Sequence, residues 1–514
     1  MRTRKALLNI ISSIFLQLLV AVSGFIIPKL ILSFYGSAVN GMINSISQFL
    51  AYAGLVEMGI GNASIVALYK PISEHNWTLT SSIVSTAKKK YYFSGIIYTL
   101  ILCSMALLYP LIIDNQMDYG FTFSMVIIIG ASNLVDYFIL GKYRILLSAL
   151  QKYYVLNIVR SVATIMTAIL SAILILNNRS LVAVKGIAIL VRVCEASFIK
   201  YYTVHKYSHV QYNNSLRAEI RQQRNSLTHQ LASMIIYNTD LVILTICLPG
   251  NSLYEISVYT VYALVFGMIT NLIQTLTNGM NATFGDMIVR GEVEKLNRGY
   301  RIYEYLYLII TFSAYTCFIA LILPFVRCYT VNITDANYLR PCIGILFGIA
   351  GLAAQIKDAA GILIIAAGHF KQTQKYIVGE AMLNIVVSLI LVRKYGIAGV
   401  MAGTIVSHIM ANWGYIRYAS KKILKRETNL TWKRIIRNTI VFVFLCLIEY
   451  HLAKDINGWS RWAFNGIFIA FINISVYFLI NILFEFENFI KIKNYILNKI
   501  HIIRNQIDIE TTEE

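Results

Sequence analysis

The chain has 514 residues, of which 57% are hydrophobic and 14% are charged, and its formal net charge is +20. Soluble domains carry about 25% charged residues, so this composition excludes an ordinary soluble protein. Apolar segments of about 20 residues, each able to cross a hydrocarbon core of about 30 Å, recur along the chain. We therefore predict a single polytopic, all-α integral membrane protein.

The predicted spans start near the N-terminus. The first, at 6–34, follows a basic start, but its apolar run is too long for a signal peptide and lacks a small-residue cleavage site. We expect about fourteen transmembrane helices in all, which places both termini on the same side. The other spans are predicted at 42–69, 91–113, 121–149, 153–178, 183–204, 227–249, 256–284, 300–326, 340–368, 376–394, 397–418, 435–453 and 461–484.

Lysine and arginine are concentrated in the loops on the side of the two termini. That side holds most of the 45 basic residues, whereas the opposite loops are short and carry few. By the positive-inside rule, both termini are expected to be cytoplasmic. The positive net charge therefore reflects membrane topology, and we expect no nucleic-acid partner.

The loop lengths predict how the spans are grouped. The longest basic connection follows the sixth span, and a basic segment with isoleucines at three- and four-residue steps follows the last one. Such a segment is typical of an amphipathic helix on anionic lipid. The predicted regions are an N-terminal six-helix bundle at 1–206, a basic cytoplasmic linker at 207–226, a C-terminal six-helix bundle at 227–425, two additional transmembrane helices at 426–486 and an amphipathic basic tail at 487–514.

A short internal similarity supports two related halves. Aligning YGSAV at 35–39 with YEISV at 254–258 also aligns NAS at 62–64 with NAT at 281–283. Both segments begin outside and run inward, so the repeats would be related by an axis along the membrane normal. We expect the two bundles to be pseudo-symmetric.

Several ionisable residues fall inside predicted spans. Charge in the membrane interior is costly, by about 2.5 kcal/mol or more for each group, so every such residue is a candidate functional group. Each also has a structural explanation, such as an ion pair within the bundle. The candidates are Lys29, Glu57, Asp136, Arg160, Arg192, Glu195, Asp240, Lys357 and Asp358.

The basic candidates differ in how they could avoid that cost. Arg192 and Glu195 are spaced i,i+3 on one helix face, so they either hold the bundle as an ion pair or contribute to a site. Lys29 lies near the outer end of its span and could extend to the interface. Arg160 and Arg192 lie deeper, where this escape is less available.

The acidic candidates have two explanations each. Glu57 lies within AYAGLVEMGIGNASIVALYKP, a predicted helix in which Gly59 and Gly61 follow it. Asp240 is surrounded by apolar residues in the seventh span. Each carboxylate is either satisfied by neighbouring polar groups or faces a cavity where it binds a cation or a proton. For Glu57 we expect a wet cavity, with the glycines allowing its helix to pack or flex.

Sequence patterns for catalysis and metal binding are absent. The chain has neither a GxxxxGK[ST] nor an HExxH motif, which argues against a self-contained ATPase or a zinc hydrolase. Its seven cysteines occur singly, without CxxC, and indicate neither a disulfide framework nor a zinc site. We expect no enzymatic activity, no cofactor and no metal.

Several blocks of the sequence resemble one family of transporters. They are FYGSAVNGMINSISQFLAYAGLVEMGIGNASIVALYKPIS, NTDLVILTICL, the span ending in NATFGDMIVRGE, and AAGHFKQTQKYIVGEAMLNIVVSLILVRKYGIAGVMAGT. In this order they are similar to Wzx-type polysaccharide and oligosaccharide flippases of the multidrug/oligosaccharidyl-lipid/polysaccharide exporter superfamily. The resemblance covers residues 5 to 425. In the tenth span, IKDAAGIL keeps the basic residue of the family pattern as Lys357 but lacks its proline and tyrosine.

The resemblance implies a fold and a function. The fold would be two six-helix bundles in a V around a central cavity, followed by two C-terminal helices, in the bacterial cytoplasmic membrane. By alternating access driven by an ion gradient or the membrane potential, it would move a polyprenyl-pyrophosphate-linked oligosaccharide to the outer face for surface polysaccharide synthesis. Its partners would be this lipid-linked oligosaccharide, membrane lipids, and a polysaccharide polymerase and glycosyltransferases.

The substrate type suggests roles for the charged candidates. A pyrophosphate needs cations to cross the membrane, so Lys29, Arg160, Arg192 and Lys357 are the predicted substrate-binding residues. Glu57 and Asp240 would balance their charge or carry the coupling proton or sodium ion.

The main alternative is a cation-coupled drug or metabolite antiporter of the same superfamily, for which acidic cavity walls are expected. A membrane glycosyltransferase or polymerase would need a sizeable outer loop, and a non-transporting scaffold also remains open.

Overall fold

The structure is a computed structural model that describes residues 2–113, 116–212, 224–248, 250–486 and 490. The described residues are 89% helical and contain no β-strand. The predicted all-α membrane class is therefore confirmed. Most of the predicted basic tail at 487–514 and the central part of the predicted linker at 207–226 lie outside the described residues.

The helices of the described residues follow the predicted spans closely. The first two spans lie in one helical stretch of 67 residues, Leu7–Ser73. The α-helices are α1 (Arg2–Ala53), α2 (Ile60–Ser73), α3 (Trp77–Ile112), α4 (Tyr119–Val135), α5 (Gly141–Ala149), α6 (Tyr153–Leu176), α7 (Leu181–Lys206), α8 (Arg224–Cys247), α9 (Ser252–Val289), α10 (Val293–Tyr329), α11 (Pro341–Ala366), α12 (Phe370–Tyr395), α13 (Ile397–Tyr418), α14 (Asn429–Ala453) and α15 (Trp459–Phe484).

Among the described residues, 11 helical stretches are long and apolar enough to cross a membrane. Helices α7 and α13 are not among them, although both coincide with predicted spans. In α7 the reason is its charge, since Lys185, Arg192 and Glu195 fall within one apolar length of helix. Each predicted span thus corresponds to a helix. Of the two less apolar helices, α7 is the one that carries these three charged residues.

The chain divides into two compact units. The first comprises Met1–Leu264, Tyr329–Tyr338 and Ala381–Gly403. The second comprises Val265–Cys328, Leu339–Glu380 and Thr404–Glu514. The predicted division into bundles at 1–206 and 227–425 stays a prediction.

Helix α1 bends sharply at Gly36, which separates the first two predicted spans. Gly36 adopts a φ of 85°, a conformation that glycine reaches without steric cost. Just after the bend, the Asp335 carboxylate accepts the backbone N–H of Ser37 at 2.7 Å and its hydroxyl at 2.5 Å. Asp335 thus satisfies backbone and side-chain donors that the bend leaves without a helical partner.

Beyond the bend, α1 packs on α8 and α9 through small and polar side chains. The Ser45 hydroxyl lies 2.7 Å from the hydroxyl of Thr245, and the Asn40 amide donates to Ser257 at 2.8 Å. Small residues allow helix backbones to approach closely in a membrane, where lipid removes the hydrophobic drive for association. At Gly41 the approach is close enough that a methyl group would overlap the backbone carbonyl oxygen of Leu253.

We expect Gly41→Ala to destabilise the protein by about 1–3 kcal/mol or more, because overpacking forces two backbones apart. The measurement is the thermal unfolding midpoint of the purified protein in detergent. Gly267→Ala is the control, since a methyl group there meets no atom within 4 Å. Equal midpoints for both variants would contradict the close approach at Gly41.

Candidate functional site

The first unit contains a cavity of about 490 Å³ lined by charged and hydroxyl-bearing side chains. This volume is in the range of sites that hold small organic ligands. Residues of α1, α4, α6 and α7 form its wall, together with the π-helical turn Asp136–Leu140. Its charged residues are Asp136, Arg160, Lys185, Arg192 and Glu195, and its hydroxyl groups include those of Ser23, Ser132, Thr164, Thr167 and Ser171.

Arg192 joins the two carboxylates of this cavity. Its Nη2 donates to Asp136 Oδ1 at 2.5 Å, and its Nη1 donates to Glu195 Oε2 at 2.6 Å. Asp136 begins a π-helical turn, a distortion that is frequent at functional sites. The ion pair predicted for Arg192 and Glu195 is therefore present, and it extends to a second helix.

Arg160 also reaches Glu195 but remains accessible. Its Nη1 donates to Glu195 Oε2 at 2.9 Å. The Glu195 side chain is only 3% exposed, whereas that of Arg160 is 47% exposed. Arg192 thus neutralises both carboxylates, and Arg160 presents a guanidinium face to the cavity. The structure brings Arg160 and Arg192 together, although they come from different predicted spans.

Lys185 is a cavity residue that the sequence did not single out. The sequence assigned Lys185 to the outer end of the span predicted at 183–204. In the structure α7 begins at Leu181 because Ser180 caps it, accepting the Ala183 N–H at 3.4 Å. Ser180 is a typical N-cap residue, so this early start was readable from the sequence. Among the described residues, the Lys185 side chain forms no ion pair or hydrogen bond, so its ammonium faces the cavity without an anion.

The charges of this cavity do not cancel. Three cations, Arg160, Lys185 and Arg192, stand against two carboxylates, Asp136 and Glu195. The excess is positive, and Arg160 and Lys185 are more available to a ligand than Arg192, which is paired with both carboxylates. The cavity is therefore suited to an anionic group and unsuited to a cationic ligand.

Glu57 lines a second cavity of the first unit, with a volume of about 520 Å³. The expectation of a continuous helix there is wrong, because Gly54–Glu57 forms a 3₁₀ turn and Gly59 adopts a φ of 82°. Glu57 Oε1 accepts from Arg144 Nη2 at 2.6 Å and from the Tyr91 hydroxyl at 2.8 Å. Arg144, which the sequence assigned to the cytoplasmic end of the span predicted at 121–149, is thus the counter-charge of Glu57.

The remaining predicted site residues of the first unit are held by tyrosines. The Tyr259 hydroxyl donates to Asp240 Oδ2 at 2.9 Å, and Asp240 is buried. Lys29 Nζ lies 5.8 Å from the ring centroid of Tyr329, a cation–π distance. Neither Asp240 nor Lys29 is among the residues that line the two cavities described above. Their predicted roles in binding and coupling stay predictions.

Lys357 belongs to the second unit and is buried in an ion pair. Its Nζ donates to Glu380 Oε1 at 2.7 Å. Glu380 is an acidic residue inside the apolar α12, a signal that was present in the sequence and was overlooked. The predicted contact of Lys357 with substrate stays a prediction.

Metal binding has no support in the described part of the chain. No group of three or more histidine, cysteine, aspartate or glutamate side chains there is arranged to hold a metal ion. The cysteines are all unpaired thiols. The candidate site therefore depends on charge and cavity shape.

Comparisons with known proteins place this fold among membrane transporters. No family model matches the chain, and no curated protein matches its sequence. Among solved structures, the lipid II flippase MurJ in an inward closed conformation is similar with a TM-score of 0.68 and 14% identity, over 94% of this chain and 99% of that chain.

Multidrug transporters are also similar. A multidrug resistance MATE family transporter of the MOP superfamily in an inward-facing conformation gives a TM-score of 0.61 and 14% identity, over 78% of this chain and 93% of that chain. An outward-facing structure gives 0.54 and 15%, over 81% and 94%. The chain therefore has the multi-pass membrane fold of MOP superfamily transporters, and these neighbours are transporters and flippases, not enzymes.

Proposed function

We propose that this protein is a flippase that translocates a polyprenyl-pyrophosphate-linked oligosaccharide across the cytoplasmic membrane, for surface polysaccharide synthesis. The observation that carries the proposal is the positive excess of the 490 Å³ cavity. A pyrophosphate cannot enter hydrocarbon without its charge being balanced. Both termini would face the cytoplasm, as the distribution of basic residues predicts.

Different residues of this cavity would contact different parts of the substrate. Arg160 and Lys185 would contact the pyrophosphate, because neither is fully committed to a carboxylate. Arg192 would hold Asp136 and Glu195 so that they do not repel the anion. The hydroxyl oxygens of Thr164, Thr167 and their neighbours would accept hydrogen bonds from sugar hydroxyls, since the Thr164 hydroxyl itself donates to the backbone carbonyl of Arg160.

The fold is compatible with both flippases and multidrug transporters, and the charge of the cavity supports the flippase. The neighbour described as a lipid II flippase covers 94% of this chain, more than the multidrug neighbours do. A drug or metabolite antiporter with cationic substrates would need an acidic cavity. Transport by alternating access would draw on an ion gradient or the membrane potential, which is worth about 2.3 kcal/mol per charge per 100 mV.

The proposal is tested in cells that lack the protein. The lipid-linked oligosaccharide of each leaflet is measured by its access to an impermeant glycan probe. We expect the intermediate to accumulate on the cytoplasmic side only, and to return to the outer face when the gene is restored. If both pools are unchanged by the deletion, the substrate is wrong and the antiporter becomes the leading candidate.

We expect Lys185→Gln to reduce the rate of flipping in proteoliposomes by about tenfold or more, since one charged contact to phosphate is worth roughly 1.5–3 kcal/mol. The measurement is the rate at which a fluorescent lipid-linked oligosaccharide becomes accessible to an impermeant quencher. Lys200→Gln is the control, because Lys200 is an exposed lysine of the same helix and does not line the cavity. A slowed Lys200→Gln together with a normal Lys185→Gln would contradict the assignment.

We expect Glu57→Ala to fold but to lose transport. Its partner Arg144 is about one-third exposed, so solvent can take over that charge. Flipping and the detergent unfolding midpoint are measured together, with Glu74→Ala as a control for an exposed glutamate at the end of α2. Normal transport by well-expressed Glu57→Ala would remove Glu57 from the mechanism.

A further inference from the structure

Three titratable side chains meet inside the second unit. Lys357 of α11 and His408 of α13 both bind the same oxygen of Glu380, with Lys357 Nζ and His408 Nδ1 each 2.7 Å from Glu380 Oε1. The Glu380 side chain is 0% exposed, and the other two are almost as buried. We call these three residues the buried triad. Its short distances and mixed charges make it a place where a proton can be shared.

The second carboxylate oxygen of Glu380 does not take part in these contacts. Glu380 Oε2 is buried and has no hydrogen-bond partner within the described residues. An unpaired charged oxygen is costlier to bury than an unpaired neutral hydroxyl, so a proton on Glu380 would relieve the cost of burying this oxygen. Two more buried atoms of the same helices also lack a described partner, Gln355 Nε2 and Asn412 Oδ1. Such atoms are the usual sites of internal water, which would supply a path for the proton.

The charges around the buried triad favour uptake of one proton. Asp358 adds a second carboxylate from α11, and Tyr415 of α13 faces Lys357, Glu380 and Asp358. With neutral His408, Lys357 and the two carboxylates sum to one negative charge, and a single proton makes the group neutral. The tyrosines Tyr303, Tyr307 and Tyr315 of α10 face Asp358 and add no cation.

We propose that the buried triad is a proton-exchange site that couples transport to the proton gradient. The His408 ring passes the proton to the Glu380 carboxylate and takes it back, with no other bond made or broken. A proton on Glu380 removes the anion that holds Lys357, so the ammonium becomes free for an anionic group. The coupling role depends on the proposed flippase function, whereas proton exchange by the triad does not.

The first experiment needs no substrate. Infrared difference spectra of the full-length protein in detergent are recorded between neutral and acidic pH. We expect a carboxylic acid C=O band on acidification that is lost in Lys357→Met/Glu380→Gln, a pair of changes that removes both charges and leaves no unpaired ion. His408→Gln, which keeps a donor for Glu380 but cannot titrate, should shift the band, and His369→Gln should not. An unchanged band in the double variant would overturn the proposal.

The second experiment tests coupling in proteoliposomes. If one proton moves per cycle, a pH difference of one unit should change the accumulation ratio of a fluorescent lipid-linked oligosaccharide about tenfold. We expect His408→Gln to lose this dependence and His369→Gln to keep it. Retained dependence in His408→Gln, or a response to a sodium gradient in its place, would overturn the proposal. If the wild-type protein flips no lipid at all, the proposed function fails while the infrared band still decides the proton site.

Discussion

Arg192→Gln is expected to lose both stability and transport. The arginine is mostly buried and neutralises Asp136 and Glu195 at the same time. Removing one partner of a buried ion pair typically costs about 3–5 kcal/mol, because the remaining charge is left without compensation. The variant should also repel a pyrophosphate from the cavity. Its unfolding midpoint in detergent and its flipping rate in proteoliposomes are the two measurements.

Arg160→Gln is the matched comparison, since it removes the same charge from the same cavity. The Arg160 side chain is 47% exposed, and Glu195 remains paired with Arg192 when Arg160 is removed. We expect a stability change below about 1 kcal/mol, as for exposed ion pairs, together with slow flipping. If Arg160→Gln flips normally, the cavity does not bind the anion. If Arg192→Gln unfolds like the wild-type protein, Arg192 is not the structural centre of the cavity.

The helical fold was accessible from the sequence because apolar length is a strong signal in membrane proteins. Each span has to satisfy its own backbone hydrogen bonds, so long apolar segments have few alternatives to a helix. Local chemistry within a helix was also predictable, as the i,i+3 pair Arg192–Glu195 illustrates. The break at Gly59 was missed, since the positive φ of a glycine leaves no periodic signal.

Contacts between helices were not accessible in the same way. Arg160 meets Glu195, Arg144 meets Glu57, and Lys357 meets Glu380, in each case from a different helix. A sequence gives the depth of a charged residue in its span, but the partner depends on the rotation and pairing of helices. The predicted set therefore contained the right kind of residue and missed partners such as Arg144.

The two C-terminal helices illustrate the same limit. The sequence assigned Arg434 and Arg437 to the cytoplasmic side, at the start of the span predicted at 435–453, whereas α14 begins at Asn429 and Arg434 is almost fully buried. Arg434 Nη1 donates to Glu304 Oε2 at 2.8 Å, and its Nη2 donates to Glu485 Oε2 at 2.5 Å. Glu304 belongs to α10 and Glu485 follows α15, so one arginine ties three helices together.

Arg434→Met is expected to be the most destabilising of the proposed substitutions. The methionine fills part of the volume, but it removes the cation that Glu304 and Glu485 share, while Arg426 still pairs with Glu304 and Arg437 with Glu485. By the cost of a broken buried ion pair, we expect a loss of about 3–5 kcal/mol. The thermal unfolding midpoint in detergent measures it, and Arg461→Met is the control for an exposed arginine of α15. Similar midpoints for the two variants would contradict the tie between α10, α14 and α15.

The pH dependence of stability gives an independent test of the same contact. Burial alone would raise the pKa of the Glu485 carboxyl, but hydrogen bonds and charge from Arg434 and Arg437 outweigh it and lower the pKa from 4.5 to about 2. A lowered pKa in the folded state stabilises the protein above pH 4.5, and this stabilisation is lost as the pH falls towards 2. Arg434→Met raises the pKa of Glu485, so the variant has less stability to lose over that interval. We therefore expect the midpoints of the wild-type protein and of Arg434→Met to converge on acidification, and parallel curves would assign the stabilisation to other groups.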